Sequence, residues 1–397
     1  MVVYAPYPLG ETRVQREAEA LLKHGYEVDV ICLRLPGEAP LDAYKDVKIY
    51  REKYRMPVAF FRSGGLGEQL LKYLRFFMSA VVRLTKNHFK KHYDTIQVHN
   101  LPDFLIFCAL IPKLLGVPII LDLHDLMPEL YTSHFGRSSS IATRLIRLQE
   151  RLACRFADHV ITVSEHWRQA LIRRGVPTNK CSVVMNVADD QIFHPSNSNY
   201  RHTQPSDGFY LIYHGSLHQR YGLDLAVQAI DELRQKIPGI HLSLVGNGEY
   251  LPHLKSMVDE FQLHKCISFE SLHLAEELPD IIRSCDLGIV PYRNDVFTDG
   301  LLPTKLMEYA ALGMPAIAAR TTAIETYFSD ANAEFFEPGD VNDLARCILM
   351  LYHNPERIAA LSRGSQNFNQ RYNWTRISAA YVSLIDCLSG GISATAD

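Results

Sequence analysis

The sequence predicts an α/β protein: two open, parallel-sheet domains in tandem, with ligand-binding groups at the carboxyl ends of the strands. Short apolar runs alternate with amphipathic helical stretches. The alternation restarts after a polar stretch near mid-chain. Glycine, histidine, basic and acidic residues gather just after the apolar runs, where open α/β sheets hold ligands.

The chain opens with MVVYAPYPLG, a strand ending in a turn that contains Gly10. ETRVQREAEALLKHG follows as a helix closed by Gly25. YEVDVICL is the next strand, and YDTIQVHN, PIILDLHD and ADHVITVSE are later ones. LPDFLIFCALIPKLLGV and a helix through Glu150 and Arg155 separate these three. NVADDQIFHPSNSNYRHTQPSDG is polar and rich in Pro, Ser and Asn, which marks a linker near 189–205. Beyond it FYLIYHGSL, IHLSLVGNG, CISFESL, CDLGIVPY and MPAIAA read as strands, with LDLAVQAIDELRQK as a helix. The expected domains are 1–195 and 196–376. A final helix, Trp374 to Leu388, has no strand after it, and 377–397 is expected to pack back on the first domain.

Composition narrows the function classes. Of 397 residues, 47% are hydrophobic and 21% charged, with a formal net charge of -3. Overall electrostatics therefore argue against a nucleic-acid partner. The eight cysteines are scattered without a C-x-x-C pair, so reduced thiols and a cytoplasmic location are expected. Met1 leads directly into a strand, so no leader is expected. No stretch reaches the roughly 18 apolar residues of a membrane span.

The second half carries Gly215, Ser216, Arg220 and Tyr221 after one strand, and Gly246, Asn247 and Gly248 after another. GLLPTKLMEYAALGMPAIA then starts a helix at Pro303, with free N–H groups and a positive dipole end. Thr304, Lys305 and Glu308 share one face of it. Lys305 and Arg220 suit a diphosphate, and Glu308 suits a ribose diol one turn down. In isolation Lys305 and Glu308 would read as a surface pair. In the first half His99 and His124 each end a predicted strand, which points to a site. No D-x-D triplet or metal-ligand spacing appears, so no obligatory metal is expected.

These residues resemble a known family, the retaining glycosyltransferases of family 4, the group-1 enzymes with the GT-B fold. In the first domain the resemblance rests on YPLGETRVQREAEALLKHGYEVDVI, HNLPDFL and LDLHDLMPELY. YHGSLHQRYGLDLAVQAI, LVGNGEY, SCDLGIVPY, GLLPTKLMEYAALGMPAIA and FEPGDVNDLA carry it, in order, through the second. The resemblance implies two Rossmann-like domains whose parallel sheets face an interdomain cleft. It implies sugar transfer from a UDP- or GDP-type nucleotide sugar to a hydroxyl of a glycan or polyprenyl-linked acceptor, in polysaccharide or glycoconjugate synthesis. By that likeness Glu308 binds ribose, His124 lies near the transferred sugar, and Gly10 approaches the donor phosphates. The family often has a glutamate where Gly300 stands, beside Asp299. It also often has an arginine at Ser216 and a lysine at Tyr221, so Arg220 and Lys305 are expected to supply the phosphate charge. The rival readings are a non-catalytic nucleotide-sugar-binding subunit and a nucleotide-sugar 2-epimerase on the same fold.

Residues Gln69 to Tyr93 contain no Asp or Glu. At about 100° per residue, Lys72, Arg75, Arg83, Lys86 and Lys90 fall on one arc, with Phe76 among them. Leu70, Leu74, Phe77, Val81 and Leu84 fall opposite, where they are expected to face the sheet. The basic arc predicts peripheral contact with an anionic membrane, at the inner face of the plasma membrane.

Overall fold

Strands buried on both faces of a parallel sheet need near-continuous apolar runs, and all ten runs named above fold as strands in the computed structural model. It describes residues 1–8, 11–53, 66–136, 141–195 and 208–390. Gly10 lies outside them. Contacts divide the chain into Met1–Met185 with Ile377–Asp397, hereafter unit 1, and Asn186–Arg376, unit 2.

Unit 1 holds β1 (Val2–Pro6), β2 (Asp29–Arg34), β3 (Leu41–Tyr44), β4 (Val47–Lys53), β5 (Ile96–His99), β6 (Ile119–Leu123), β7 (His159–Thr162) and β8 (Cys181–Val183). Their order across the sheet is β3-β4-β2-β1-β5-β6-β7-β8. All neighbours are parallel except the β3–β4 hairpin. The chain moves outward from β1 through β2, then returns to β5 on the other side. That reversal opens the strand-end crevice where α/β sheets bind ligands.

Unit 2 holds β9 (Phe209–His214), β10 (Ile240–Val245), β11 (Ile267–Glu270), β12 (Leu287–Val290), β13 (Ala316–Ala319) and β14 (Glu334–Phe336). Its all-parallel order, β11-β10-β9-β12-β13-β14, reverses between β9 and β12. The helix Thr304–Leu312 joins β12 to β13. Pro303 precedes it at φ -71, and Gly313 ends it in the left-handed region at φ 75.

The division falls ten residues before the expected 195, because residues just after Met185 bond within unit 2. Asn186 Nδ2 donates to Thr304 Oγ1 at 3.3 Å, and Arg283 donates to the His194 carbonyl at 2.8 Å. Asp190 caps the last helix by accepting the Thr375 N–H at 2.8 Å. Further along that helix, Tyr381 is buried in unit 1 and donates to Gln97 Oε1 at 2.6 Å.

The helix Leu66–Lys91 buries a different face from the one expected. Lys72 is buried and pairs with Glu68 at 3.0 Å, one residue before the acid-free stretch. Arg83 pairs with Glu52 of β4 at 2.7 Å. Phe76 is buried edge-on to Tyr4, ring centres 5.3 Å apart, whereas Leu70 and Leu74 are exposed. The basic arc is thus reduced to Arg75, Lys86 and Lys90. Segregation of charge placed the expected face, but Phe76, Ala80 and Leu84 pack on the sheet. Among the described residues, no helix is long and apolar enough to cross a membrane.

Candidate active site

In unit 1 the strand-end residues converge on one carboxylate. Asp122 sits in β6, fully buried, an acid inside an apolar run. Arg13, on the helix Thr12–Lys23, grips both its oxygens: Nε to Oδ2 at 2.9 Å and Nη2 to Oδ1 at 3.0 Å. A third Arg13 nitrogen donates to the Val184 carbonyl at 2.7 Å. His99 Nδ1 and His124 Nε2 both reach Asp122 Oδ2 at 2.9 Å. Asn100 fixes the backbone of His124, accepting its N–H at 2.9 Å. Behind Arg13, Glu17 pairs at 3.1 Å and accepts from Gln97 Nε2 at 2.7 Å. Gln97 in turn takes the Tyr381 hydroxyl, so the last helix anchors this network.

The two histidines are held in different states. Burial pulls His99 down to about 4, so it is neutral and donates Nδ1–H to Asp122. Burial also pulls on His124, but Asp122 outweighs it and raises its pKa. Burial would push Asp122 up, yet Arg13 and His124 hold it well below the usual carboxylate range. His124 keeps a partly exposed edge, and its Nδ1 is not committed to Asp122. His99, Asp122 and His124 bring ligand atoms within 4.8 Å of one another, a spacing that suits a cation. Arg13 already covers both carboxylate oxygens, so a divalent ion there would meet a fixed positive charge.

A cavity of about 420 Å³ in unit 1, lined in part by Met1, Asp29, Lys91 and Tyr93, opens instead at the amino ends of the strands. Its Asp29 is already bonded to Lys91 and Tyr93, each at 2.6 Å. The unpaired chemistry lies elsewhere.

In unit 2 the expected residues gather around Lys305. Its ammonium is buried, 8% exposed, and donates to the Tyr292 hydroxyl at 2.8 Å. It stands over three tyrosine rings: Tyr213 at 4.6 Å, Tyr292 at 5.0 Å and Tyr221 at 5.3 Å. Tyr221 stacks on Tyr292. Among the described residues, no carboxylate lies within 4.0 Å of Nζ. Burial lowers its pKa to about 8, with Glu308 pulling the other way. Glu308 instead lies 3.2 Å from His214 Nε2. Burial lowers His214 to about 3, so that ring is neutral. Lys305 and Glu308 therefore form no surface pair.

The glycines divide by role. Gly215 takes φ +116, and a Cβ there would touch Lys305 Cε at 3.4 Å, so this turn lies directly against the ammonium. Gly246 and Gly248, strand-end candidates in the sequence, are needed for packing. A Cβ on Gly246 would stand 1.9 Å from the Gly215 carbonyl oxygen, and one on Gly248 2.2 Å from that of Leu217. Two strand-end turns lie backbone to backbone there. Asn247 serves the same turn, its side chain accepting the Gly248 N–H at 2.8 Å. Ser216 is exposed, with its carbonyl taking the Tyr213 hydroxyl at 2.7 Å. Thr304 is bound to Asn186 at the start of its helix.

Arg220 is half-buried over the Phe297 ring at 5.4 Å, without a carboxylate within 4.0 Å among the described residues. Asp299, beside the Gly300 that stands where the family often has a glutamate, is tied to the next helix. It accepts the Thr322 N–H at 2.8 Å, which starts the next helix. Sequence reasoning placed Tyr221 after a strand but missed Asp122, Tyr213 and His214. Asp122 was readable as an acid inside IILDL, but Tyr213 and His214 passed for ordinary strand residues.

Both halves of the chain are similar to known proteins. The profile of Glycosyltransferase Family 4 matches residues 10–191, and that of Glycosyl transferases group 1 matches 208–354. A GDP-mannose-dependent alpha-(1-6)-phosphatidylinositol monomannoside mannosyltransferase of Mycolicibacterium smegmatis is 27% identical over 42% of this chain and 44% of its own length. The amylovoran biosynthesis glycosyltransferase AmsK of Erwinia amylovora is 23% identical over 55% of this chain and 54% of its own. The matches thus span about half the length of these relatives. A D-inositol 3-phosphate glycosyltransferase of Thermobispora bispora is 24% identical over 76% and 72%. Among solved structures, sucrose-phosphate synthase from Thermosynechococcus elongatus has a TM-score of 0.78 at 18% identity, covering 98% of this chain and 99% of its own. Anabaena HepE in complex with UDP-glucose has a TM-score of 0.70 at 17% identity, covering 97% and 99%. These likenesses show the GT-B fold.

Proposed function

Because the chain belongs to the group-1 glycosyltransferases of family 4, we propose that it moves a sugar from a nucleoside diphosphate sugar to a hydroxyl of a glycan or lipid-linked acceptor, with retention of configuration and without a metal ion. The observation that carries this reading is Lys305, a buried ammonium with no carboxylate within 4.0 Å among the described residues and Glu308 acting on it only from farther off. A buried cation without a counter-charge is costly. A diphosphate at the mouth of the helix Thr304–Leu312 would supply that charge and accept the free N–H groups there.

In the proposed reaction the bond from the anomeric carbon to the β-phosphate oxygen breaks, and a bond to the acceptor oxygen forms. The acceptor's proton passes to the departing phosphate oxygen. Negative charge grows on the diphosphate, and Lys305 and Arg220 stabilise it. Glu308, kept in place beside neutral His214, accepts hydrogen bonds from the ribose diol. His124, oriented by Asp122, is assigned to the transferred sugar. The UDP-glucose complex of one structural neighbour and the GDP-mannose of one relative support a UDP- or GDP-type donor. The amylovoran and phosphatidylinositol mannoside relatives support a role in polysaccharide or glycolipid assembly.

A thermal-shift screen of nucleotide sugars tests the donor, since a ligand bound only to the native state raises its stability. A UDP- or GDP-sugar is expected to raise the midpoint, and then to release nucleoside diphosphate only when acceptor is present. No shift with any nucleotide sugar would overturn the reading. Release that ignores acceptor would point to the epimerase alternative, and a shift with no release at all to the binding subunit.

A further inference from the structure

Helices that cover a sheet normally present a polar outer face to water. Three neighbouring elements of unit 1 do the reverse. The helix Leu66–Lys91, the segment Asp103–Leu114 and the helix Ile141–Phe156 connect β4 to β5, β5 to β6 and β6 to β7. Each crossover steps the same way along the sheet, so right-handed connections put all three on one face. The middle segment packs against both helices.

Thirteen of the eighteen large hydrophobic residues exposed among the described ones lie on these stretches, and Leu115 directly follows the middle one. That concentration separates the face from the scattered apolar residues any surface shows. On the first helix Leu70, Leu74, Met78 and Val82 make an outward row at every fourth position. In the middle Leu114 is 77% exposed. On the third, Ile141, Leu145, Leu148 and Leu152 fall within an arc of roughly 60° at 100° per residue.

Charge decides what covers the face. Arg75, Lys86 and Lys90 flank the first row, and Arg144, Arg147, Arg151 and Arg155 flank the third. The four arginines have no carboxylate within 4.0 Å among the described residues. The acids of these helices are spoken for: Glu68 pairs with Lys72, and Glu150 is buried with Arg174 at 2.7 Å. A second copy of the chain across a two-fold axis would set this basic face against itself. A lipid surface accepts both features at once, with aliphatic side chains entering the acyl boundary and cations meeting anionic headgroups.

We infer that this three-helix face of unit 1 docks reversibly on an anionic membrane. The contact is peripheral and differs from the single-helix basic arc, two of whose five cations are engaged inside unit 1. It stands apart from the donor chemistry and is tested without nucleotide.

Flotation of the whole chain with vesicles decides it. Phosphatidylcholine vesicles carrying about 30 mol% phosphatidylglycerol are expected to carry the protein at low salt, and phosphatidylcholine alone far less. Binding should fade as salt rises. Arg144→Glu with Arg147→Glu and Arg151→Glu should lower the partition coefficient at least about ten-fold. Met78→Ser with Leu145→Ser and Leu148→Ser should lower it too, at exposed positions that leave the thermal midpoint in place. Failure of the unaltered protein to float with anionic vesicles at low salt overturns the inference whatever the variants do. So does equal flotation of both variants and parent, or a dimer in sedimentation that the serine variant converts to monomer.

Discussion

The two strand-end clusters treat buried charge in opposite ways. In unit 1 the Asp122 carboxylate is met by Arg13, His99 and His124, so the cluster is balanced from within. In unit 2 the Lys305 ammonium has one phenol oxygen and three ring faces around it. The first arrangement orients a histidine. The second leaves its cation without a carboxylate within 4.0 Å among the described residues, and under the proposed function an anion supplies one. Changes in unit 1 should therefore act on folding and on orientation, whereas changes in unit 2 should act on ligand and rate.

The largest expected effect is on turnover. Lys305→Met should lower it roughly 10²- to 10³-fold, on the scale of losing one donor aimed at developing charge. The same change should leave the unliganded protein at least as stable, because holding the buried ammonium costs on the order of 3 kcal/mol. Steady-state kinetics and denaturant titration check the pair of outcomes. A variant that unfolds while the wild type stands would break the contrast.

Arg13→Met comes next. It strands Asp122 in the core of unit 1, and breaking such a buried pair costs about 3–5 kcal/mol. His124→Ala, by comparison, should keep most stability and lose transfer more than nucleotide binding. Equal losses of stability in the two variants, measured by urea unfolding, would show that His124 is structural.

Glu308→Ala should weaken nucleotide binding about ten-fold or more, the worth of hydrogen bonds to a charged group. Isothermal titration with nucleoside diphosphate reads this directly. Unchanged affinity would remove Glu308 from the ribose.

The smallest effects are those of pH. Lys305 has its folded pKa lowered to about 8, so the cost of its charge is full below that value. The cost disappears as pH rises from about 8 toward the usual 10.5. Diphosphate binding favours the charged form, so affinity should fall above about pH 8, and Lys305→Arg should flatten that limb. The histidines of unit 1 act in the other range. His124, with its pKa raised, lends stability fully below about 6.5 and loses it as pH rises through its folded value. His99, lowered to about 4, costs stability as pH drops from about 6.5 toward 4. His99→Gln should spare the protein part of that loss in a pH series of thermal midpoints.

Much of this was legible in one dimension. Apolar runs such as PIILDL and CDLGIV must become buried strands, because their backbone needs partners and their side chains need cover. Pro303 and Gly313 mark the ends of a helix by their own φ preferences, and His124 and Lys305 follow apolar runs. Such signals are local, and any fold with these strands would honour them. Tertiary structure decided which charge meets which. Arg13 and Asp122 lie 109 residues apart, and Arg83 and Glu52 lie 31 apart, so no spacing announces either pair. Gly246 is glycine because the Gly215 turn passes against it, a contact that exists only once β9 and β10 are paired. The helix Leu66–Lys91 carries leucines on more than one side, and its own period cannot choose between them. The sheet chose the side that fits Phe76 and Ala80, and left Leu74 and Met78 outward.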